Sequence, residues 1–219
     1  MVSKLSVISM VTQSQKRVIR MVDEKNIIKK FEFHQVWLDS VGREGEKLVL
    51  DEINLEGLDL SNFSFKEARL IECSFDSMSL EKGNFILTWL YSSTFRNAYL
   101  QGANFYKGYV SYSDFSYSNL RNSKFTDCES AETIFLGADL SNAELNVCYF
   151  SSVDFRNSKL DNANIEDSFF EDVLVKGASF KNVKGIEKAN IISINIGTTE
   201  EPITLGDEQA KRWIFENCM

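Results

Sequence analysis

The chain has 219 residues, 43% of them hydrophobic, with one Pro and a formal charge of −8. That composition supplies a sizeable core and excludes a disordered class, and a single Pro, against a usual share of roughly 5%, argues against long Pro-rich linkers. The acidic balance disfavours phosphate binding, which needs clustered Lys and Arg, so direct nucleic-acid contact is not expected and a charged partner should be basic.

Residues 1–25, with "KLSVISMVTQSQKRVIRMV", read as a hairpin or as two short helical pieces. "KLSVISMV" lacks the length and the small-residue cleavage site of a signal peptide, and no apolar run approaches the roughly 18 to 20 residues of a membrane span. The expectation is a soluble cytoplasmic protein without a membrane partner. Residues 26–42 read as an amphipathic helix: Asn26 is the N-cap candidate, Ile27, Ile28, Phe31, Trp37 and Leu38 are apolar, and Gly42 is a stop signal. His34, the one histidine, is read as a surface or packing residue rather than a general base. "VGREGEKL" lacks the GK[ST] ending of a phosphate loop, and no GxSxG nucleophile motif occurs.

From Leu50 to Phe180 every fifth residue is large and apolar, over 27 positions of which only Ser130 departs, and twelve of the seventeen Phe lie in this column. A spacing of five fits neither a helical face nor one side of a strand. Two positions earlier runs a column that from Ala68 to Ala178 holds, except for Met78, nothing larger than Thr or Val. "ANF" at 103–105, "ADL" at 138–140 and "ANI" at 163–165 show the pattern most clearly. It resembles the pentapeptide-repeat family, whose motif is a small residue, often Asp or Asn, then Leu or Phe and two variable positions.

That resemblance implies a right-handed, four-sided parallel β-helix, an all-β solenoid with one repeat per side and twenty residues per coil. Sorting the residues by twenty supports the count independently, since Leu60, Leu80, Leu100, Leu120, Leu140, Leu160 and Phe180 fall in one column and Phe75, Phe95, Phe115, Phe135, Phe155 and Val175 in another. At about 4.8 Å per coil, the repeats make a rod roughly 32 Å long. Both columns should face inward, the small one near the corners. Ser130 is expected to mark a bulge. Cys73, Cys128 and Cys148 fall in the small column as packing residues. Cys128 and Cys148, one coil apart, are close enough for a disulfide, although buried free thiols are the simpler reading. With no CxxC and a single His, neither a metal site nor a cofactor is expected.

Solenoid ends need covers. The small column is large at Ile53, Leu58 and Phe63, as expected if the opening coil meets the helix of residues 26–42. After "KNVKG" the register slips by one, and "ANI" at 189–191 with Ile196 suggests a last partial coil. "GDEQAKRWIFENCM" then returns to helical spacing, with Asp207 as a cap and Ala210, Trp213, Ile214 and Phe215 apolar. This helix either covers the last coil or pairs with its twin, as C-terminal elements do in some members of the family. The divisions follow: an N-terminal segment and capping helix at 1–45, the β-helix at 46–197, and a capping or dimerisation helix at 198–219.

Outward positions differ among the four sides. Three mix acids and bases. The side built on Leu50, Leu70, Leu90, Val110, Ser130, Phe150 and Phe170 carries Asp51, Glu52, Glu72, Glu129, Glu132, Glu171 and Asp172 against one base, Arg69. It also places Trp89, Tyr91, Tyr109, Tyr112, Tyr149 and Phe169 outward, as in an interface hot-spot cluster. The alternative is that these rings pack under a flanking segment or merely stack on one another. The function expected is a non-catalytic protein–protein interaction or scaffold module that binds another protein or its own copy. The resemblance implies a second reading: quinolone-resistance members of the family mimic DNA and bind DNA gyrase or a related topoisomerase. Against it, aromatics interrupt the acids in the middle coils, and the ladder lacks the long inserted loops of some gyrase-protecting relatives.

Overall fold

The computed structural model of the chain describes residues 23–218, so the reading of residues 1–25 falls, but for its last three positions, outside the described residues. From residue 48 the chain winds into a β-solenoid of about seven turns with short helices at its ends. The coils hang on one another through the backbone. Leu70 N–H donates to the Trp89 carbonyl at 2.8 Å and Trp89 N–H to the Ala68 carbonyl at 2.9 Å, and this pattern repeats along the rod. Bridged residues are twenty apart, from Asn54↔Ser74 to Asn164↔Lys184.

The corners set that count. Two residues after the large apolar positions, Leu60 excepted, the backbone is left-handed, with φ from 52° at Glu132 to 63° at Tyr112 among non-glycine ladder residues. Asn97, Asn122, Asn142, Asn157, Asn162, Asn182, Gly57, Gly102, Gly137 and Gly177 occupy such corners, residue types that reach this region with little strain. Four corners make a square coil, whose sides are named here after their first apolar residues, Leu50, Leu55, Leu60 and Phe65.

Inside the tube two phenylalanine stacks run on opposite sides. Phe65, Phe85, Phe105 and Phe125 stack at 4.5–4.7 Å between ring centroids, and Phe75, Phe95, Phe115, Phe135 and Phe155 at 4.6–5.2 Å. The stacks meet edge to face, as in Phe105–Phe115 at 5.6 Å and 87°. Each fully buried ring contributes on the order of 1.5 to 3 kcal/mol before ordering entropy is set against it. Beyond Phe125 the Phe65 side continues with Leu145 and Ile165, while the Leu50 side switches to Phe150 and Phe170, so the aromatic volume changes sides. Ser130 sits directly before that switch.

The small column is largely buried as well, and several of its polar members bond to the coil below. The Thr88, Ser93, Thr133 and Ser168 hydroxyls donate to the carbonyls of Phe65, Leu70, Val110 and Leu145 at 2.6–2.9 Å. Cys128 and Cys148 do the same with their thiols, to Phe105 and Phe125, both at 2.8 Å. They are therefore free donors rather than a disulfide. Burial raises the Cys148 pKa to about 12 and that of Cys73 to about 11, keeping both protonated.

The Leu50 side holds the longest pairings. β1 (Val49–Asp51), β2 (Arg69–Ile71), β3 (Glu129–Ala131), β4 (Tyr149–Ser151) and β5 (Phe169–Glu171) all lie there, with the intervening coils joined by single bridges at Trp89 and Tyr109. Ser130 pairs in register with Phe150, so no bulge forms: the residue is small but the ladder has no insertion. Its hydroxyl is buried without a partner.

α1 (Glu24–Asp39) covers the first coil. Its N-cap is Asp23, whose carboxylate accepts the Lys25 N–H at 3.2 Å. Asn26 instead lies within the first turn, because the chain turns helical three residues earlier. Phe31 packs on Phe63 at 5.2 Å and Phe65 at 5.5 Å, the contact that the bulky opening column requires. His34 is fully buried and joins helix to coil: Nδ1 accepts the Leu48 N–H at 3.1 Å and Nε2 donates to the Lys66 carbonyl at 3.0 Å.

At the other end, β6 (Val173–Leu174) and β7 (Asn190–Ile191) precede β8 (Ser193–Asn195), β9 (Thr204–Gly206) and α2 (Asp207–Glu216). The pairing Phe170↔Ile191 spans twenty-one residues rather than twenty, which is the one-residue slip. β9 folds back antiparallel on β8. α2 has Gly206 as its N-cap, with no side-chain cap bond; Asp207 belongs to the first turn, so its carboxylate faces the helix dipole without capping it.

Two outcomes follow. Burial depresses the His34 pKa below its ordinary 6.5, outweighing the Lys66 hydrogen bond. The unfolded chain therefore takes up a proton near pH 6.5 before the folded one does, so stability is flat above that pH, declines as pH falls below it, and levels off under the folded value. Thermal melts of wild type and His34→Gln between pH 5 and 8 should show this decline in wild type only. Ser130→Ala, which removes the unpartnered hydroxyl, should stabilise the protein by about 1 kcal/mol in urea unfolding.

Candidate protein-interaction face

The outward positions of the Leu50 side form three parallel rows along the rod. One row reads Trp89, Tyr109, Glu129, Tyr149, Phe169; the next, Tyr91, Ser111, Ala131, Ser151, Glu171; the third, Glu72, Ser92, Tyr112, Glu132, Ser152, Asp172. Trp89, Tyr112 and Tyr149 are 47%, 54% and 44% exposed, whereas Tyr91, Tyr109 and Phe169 are half-buried because rings of adjacent coils cover them. Trp89 meets Tyr109 at 5.4 Å, Tyr91 meets Tyr109 at 6.3 Å, and Tyr149 stacks on Phe169 at 4.9 Å. The structure thus brings five of the six aromatics together as two clusters rather than one sheet of rings, and Tyr112 makes no ring pair among the described residues. Glu129 separates them.

The charges divide the same way. On the other three sides acids meet bases across neighbouring coils: Asp76 with Arg96 at 2.6 Å, Asp139 with Arg121 at 3.3 Å, Glu144 with Lys124 at 3.3 Å and Asp127 with Lys107 at 3.5 Å. On the Leu50 side Arg69 is held by Asp51 at 2.6 Å, and among the described residues no base pairs with Glu129 or Glu132. Glu171 accepts the Tyr149 hydroxyl at 3.4 Å, and Asp172 accepts the Ser193 hydroxyl at 2.8 Å. Glu72 and Glu171 are half-buried; Glu129, Glu132 and Asp172 are exposed. Desolvation first, then the nearby Glu129 carboxylate, raises the Tyr91 pKa and keeps its phenol protonated.

A groove of about 390 Å³ runs along the corner between the Phe65 and Leu50 sides. One wall is Tyr109, Glu129 and Tyr149; the other is Leu87, the Lys107–Asp127 pair and Val147; Gly108 and Cys128 form the floor. A Cβ at Gly108 would fall 2.8 Å from the Phe105 carbonyl oxygen. Leu87 and Val147 are exposed apolar residues at left-handed corners, with φ of 57° and 60°. A β-branched residue in that conformation is strained.

The sequence reading did not include Leu87, Val147 or the groove. Nor did it include Tyr99, Tyr106 and Tyr117, which are exposed on the other three sides. Together with Trp89, Tyr91, Tyr109 and Tyr112 they fall within residues 89–117, an enrichment visible in the sequence as six of its seven Tyr. Tyr117 lies over Gly137, where a Cβ would come within 2.7 Å of its ring. At the C-terminal end, Ile214 is buried and Trp213 packs on Phe180 at 6.2 Å. α2 therefore covers the last coil, and of these three residues only Phe215, 66% exposed, projects outward. Among the described residues no helix is long and apolar enough to cross a membrane.

The family model for pentapeptide repeats matches in eight copies over residues 49–85, 90–129, 113–150 and 133–172, more than half of the chain. No curated protein sequence gives a significant match. Similar solved structures include a trypsin-treated variant of QnrB1, a plasmid-mediated fluoroquinolone resistance protein (19% identity, TM-score 0.41, covering 66% of this chain and 77% of that one). HetL, involved in heterocyst differentiation regulation in the cyanobacterium Nostoc, has 16% identity and a TM-score of 0.39, over 73% of this chain and 94% of its own. A pentapeptide repeat protein of the Arabidopsis thaliana thylakoid lumen has 21% identity and a TM-score of 0.36, over 54% and 69%.

The backbone at Val147 yields a test. Val147→Asn places a residue that tolerates φ near +60° on the groove wall and should stabilise the protein by about 0.5 to 1 kcal/mol. A fall in the urea midpoint would contradict the assignment of strain there.

Proposed function

The chain belongs to the pentapeptide-repeat family, and on that premise we propose that it is a non-catalytic protein-binding module whose docking face is the Leu50 side of the rod. Members of the family are generally non-enzymatic structural or interaction modules. The observation that carries the reading is the grouping on one side of exposed Trp89, Tyr112 and Tyr149 with Glu129 and Glu132, which no described base meets, while the other sides carry most of the ion pairs between coils. Large rings with few rotors supply contact area, and uncompensated acids steer and orient a basic partner. Two copies joined through this face would oppose like charges, so self-association through it is disfavoured. The exposed Phe215 leaves the C-terminal end as the place for a homodimer.

A second reading is a DNA mimic that binds DNA gyrase or a related topoisomerase. The rod and a pI of about 4.9 favour it. The aromatic clusters count against it, because they break the line of charge between Glu72 and Glu129 that a duplex mimic would need to keep continuous.

The experiment is capture from an extract of the source cells by immobilised wild type, by Trp89→Ala/Tyr91→Ala, and by a Tyr99→Ala/Glu81→Gln control on the Leu60 side. A protein retained by wild type and control but lost from the Trp89/Tyr91 variant is the expected result; equal retention by all three overturns the assignment of the face. A gyrase supercoiling assay with and without ciprofloxacin tests the second reading, and neither inhibition nor protection would remove it.

A further inference from the structure

We propose that the groove holds an arginine-recognition slot: an extended segment of a partner protein lies along the rod axis and places one arginine, flanked by apolar side chains, against Glu129. The proposal rests on the reading of the Leu50 side as a docking face and names the chemistry of what docks there.

Three features converge. First, Glu129 stands between Tyr109 and Tyr149 in a row whose members are one coil apart, about 4.8 Å. A guanidinium bound to this carboxylate has a tyrosine ring on either side. Arginine suits that geometry better than lysine, because a planar fork binds a carboxylate in bidentate fashion while its faces stack on aromatic rings. Second, the charge inside the groove is unbalanced in the right sense. Lys107 is engaged by Asp127 at 3.5 Å, and no described base meets Glu129, so one cation completes the site.

Third, the ends of the opposite wall are Leu87 and Val147, exposed side chains that are the two aliphatic occupants among the described left-handed corners of the ladder, where polar residues, Gly and two Tyr stand elsewhere. Strain kept at a surface position points to use of that side chain. Leu87 and Val147 are three coils apart, about 14 Å, which an extended strand covers in four to five residues at about 3.3 Å each. The occupant thus has apolar side chains near both ends and the arginine between them. A second copy joined through the same face is disfavoured by its like charges.

The probe is a fluorescein-labelled heptapeptide with a central arginine flanked by valine and isoleucine, titrated by anisotropy into the full-length protein, alongside versions carrying lysine or glutamine at the centre. Binding is expected to be strongest for arginine, weaker with lysine and absent with glutamine, and to fall about tenfold in Glu129→Gln, as for loss of one charge-assisted pair. Val147→Asn, which should leave the protein folded, is expected to weaken binding several-fold. Glu81→Gln, on the opposite side, should leave it unchanged. Equal binding of the three peptides, or an equal loss in Glu81→Gln, overturns the slot and leaves only net charge.

Residues 1–22 include Arg17 and Arg20 with apolar neighbours and contain no acid. The full-length Arg17→Gln/Arg20→Gln variant is therefore titrated as well, and a tenfold tighter affinity for the peptide would overturn the partner in favour of the chain's own segment. If Glu129→Gln binds the peptide as wild type does while extract capture still depends on Trp89 and Tyr91, the slot falls and the docking face stands; if neither variant has an effect, both fall.

Discussion

The hydrogen bonds between coils require residues twenty apart to face each other, and this register governs the rest of the structure. Leu70 can donate to Trp89, and Trp89 to Ala68, only if each coil returns to the same wall. The left-handed backbone at every fifth residue sets the return, and the stacked rings of Phe65 to Phe125 and Phe75 to Phe155 fill the tube that results. Neither suffices alone. Without the corners the rings would not line up, and without the rings the corners would enclose a void that costs as much as a large core truncation.

The register also explains why the surface can be specialised side by side. A substitution at an outward position changes one row on one wall and leaves the interior columns untouched. Acids and bases can therefore be matched across coils on three sides, as in Asp76–Arg96 and Lys124–Glu144, while on the fourth Arg69 holds Asp51 and no described base meets Glu129 or Glu132. This side also holds the three-residue strands β1 to β5, so Glu129, Tyr149, Phe169 and Glu171 stand on regular strands while Trp89 and Tyr109 stand on single bridges. Preorganised presentation of this kind lowers the ordering cost of association.

Much of this was legible in the sequence because the period is short and repeated many times. The apolar column from Leu50 to Phe180 gave the interior, the bulky Ile53, Leu58 and Phe63 announced a covering helix, and the slip after Gly185 appears in the pairing of Phe170 with Ile191. What escaped depends on distances between coils. Nothing local distinguishes His34 as the hinge pin between helix and coil, since both of its hydrogen-bond partners are backbone atoms more than ten residues away. Caps were misplaced at Asn26 and Asp207 because a capping side chain is chosen by where the chain enters the helix, and the neighbours Asp23 and Gly206 serve as well. Five of the six site aromatics separate into two clusters because Glu129 interrupts their row, and the groove beside them arises from Leu87 and Val147. A signal for these two did exist: corner positions rich in Asn and Gly make an apolar occupant conspicuous.

The transfer of the aromatic stack from the Phe65 side to the Leu50 side, with Ser130 at the junction, bears on how such a rod can lengthen or shorten. Within the uniform run, loss or duplication of a twenty-residue unit restores Phe upon Phe and leaves the packing intact. Loss of the unit containing Ser130 instead seats Val110 directly beneath Phe150, where the native chain has the smallest member of the large column. The packing therefore accommodates gain or loss of whole units on either side of this boundary and resists it across the boundary.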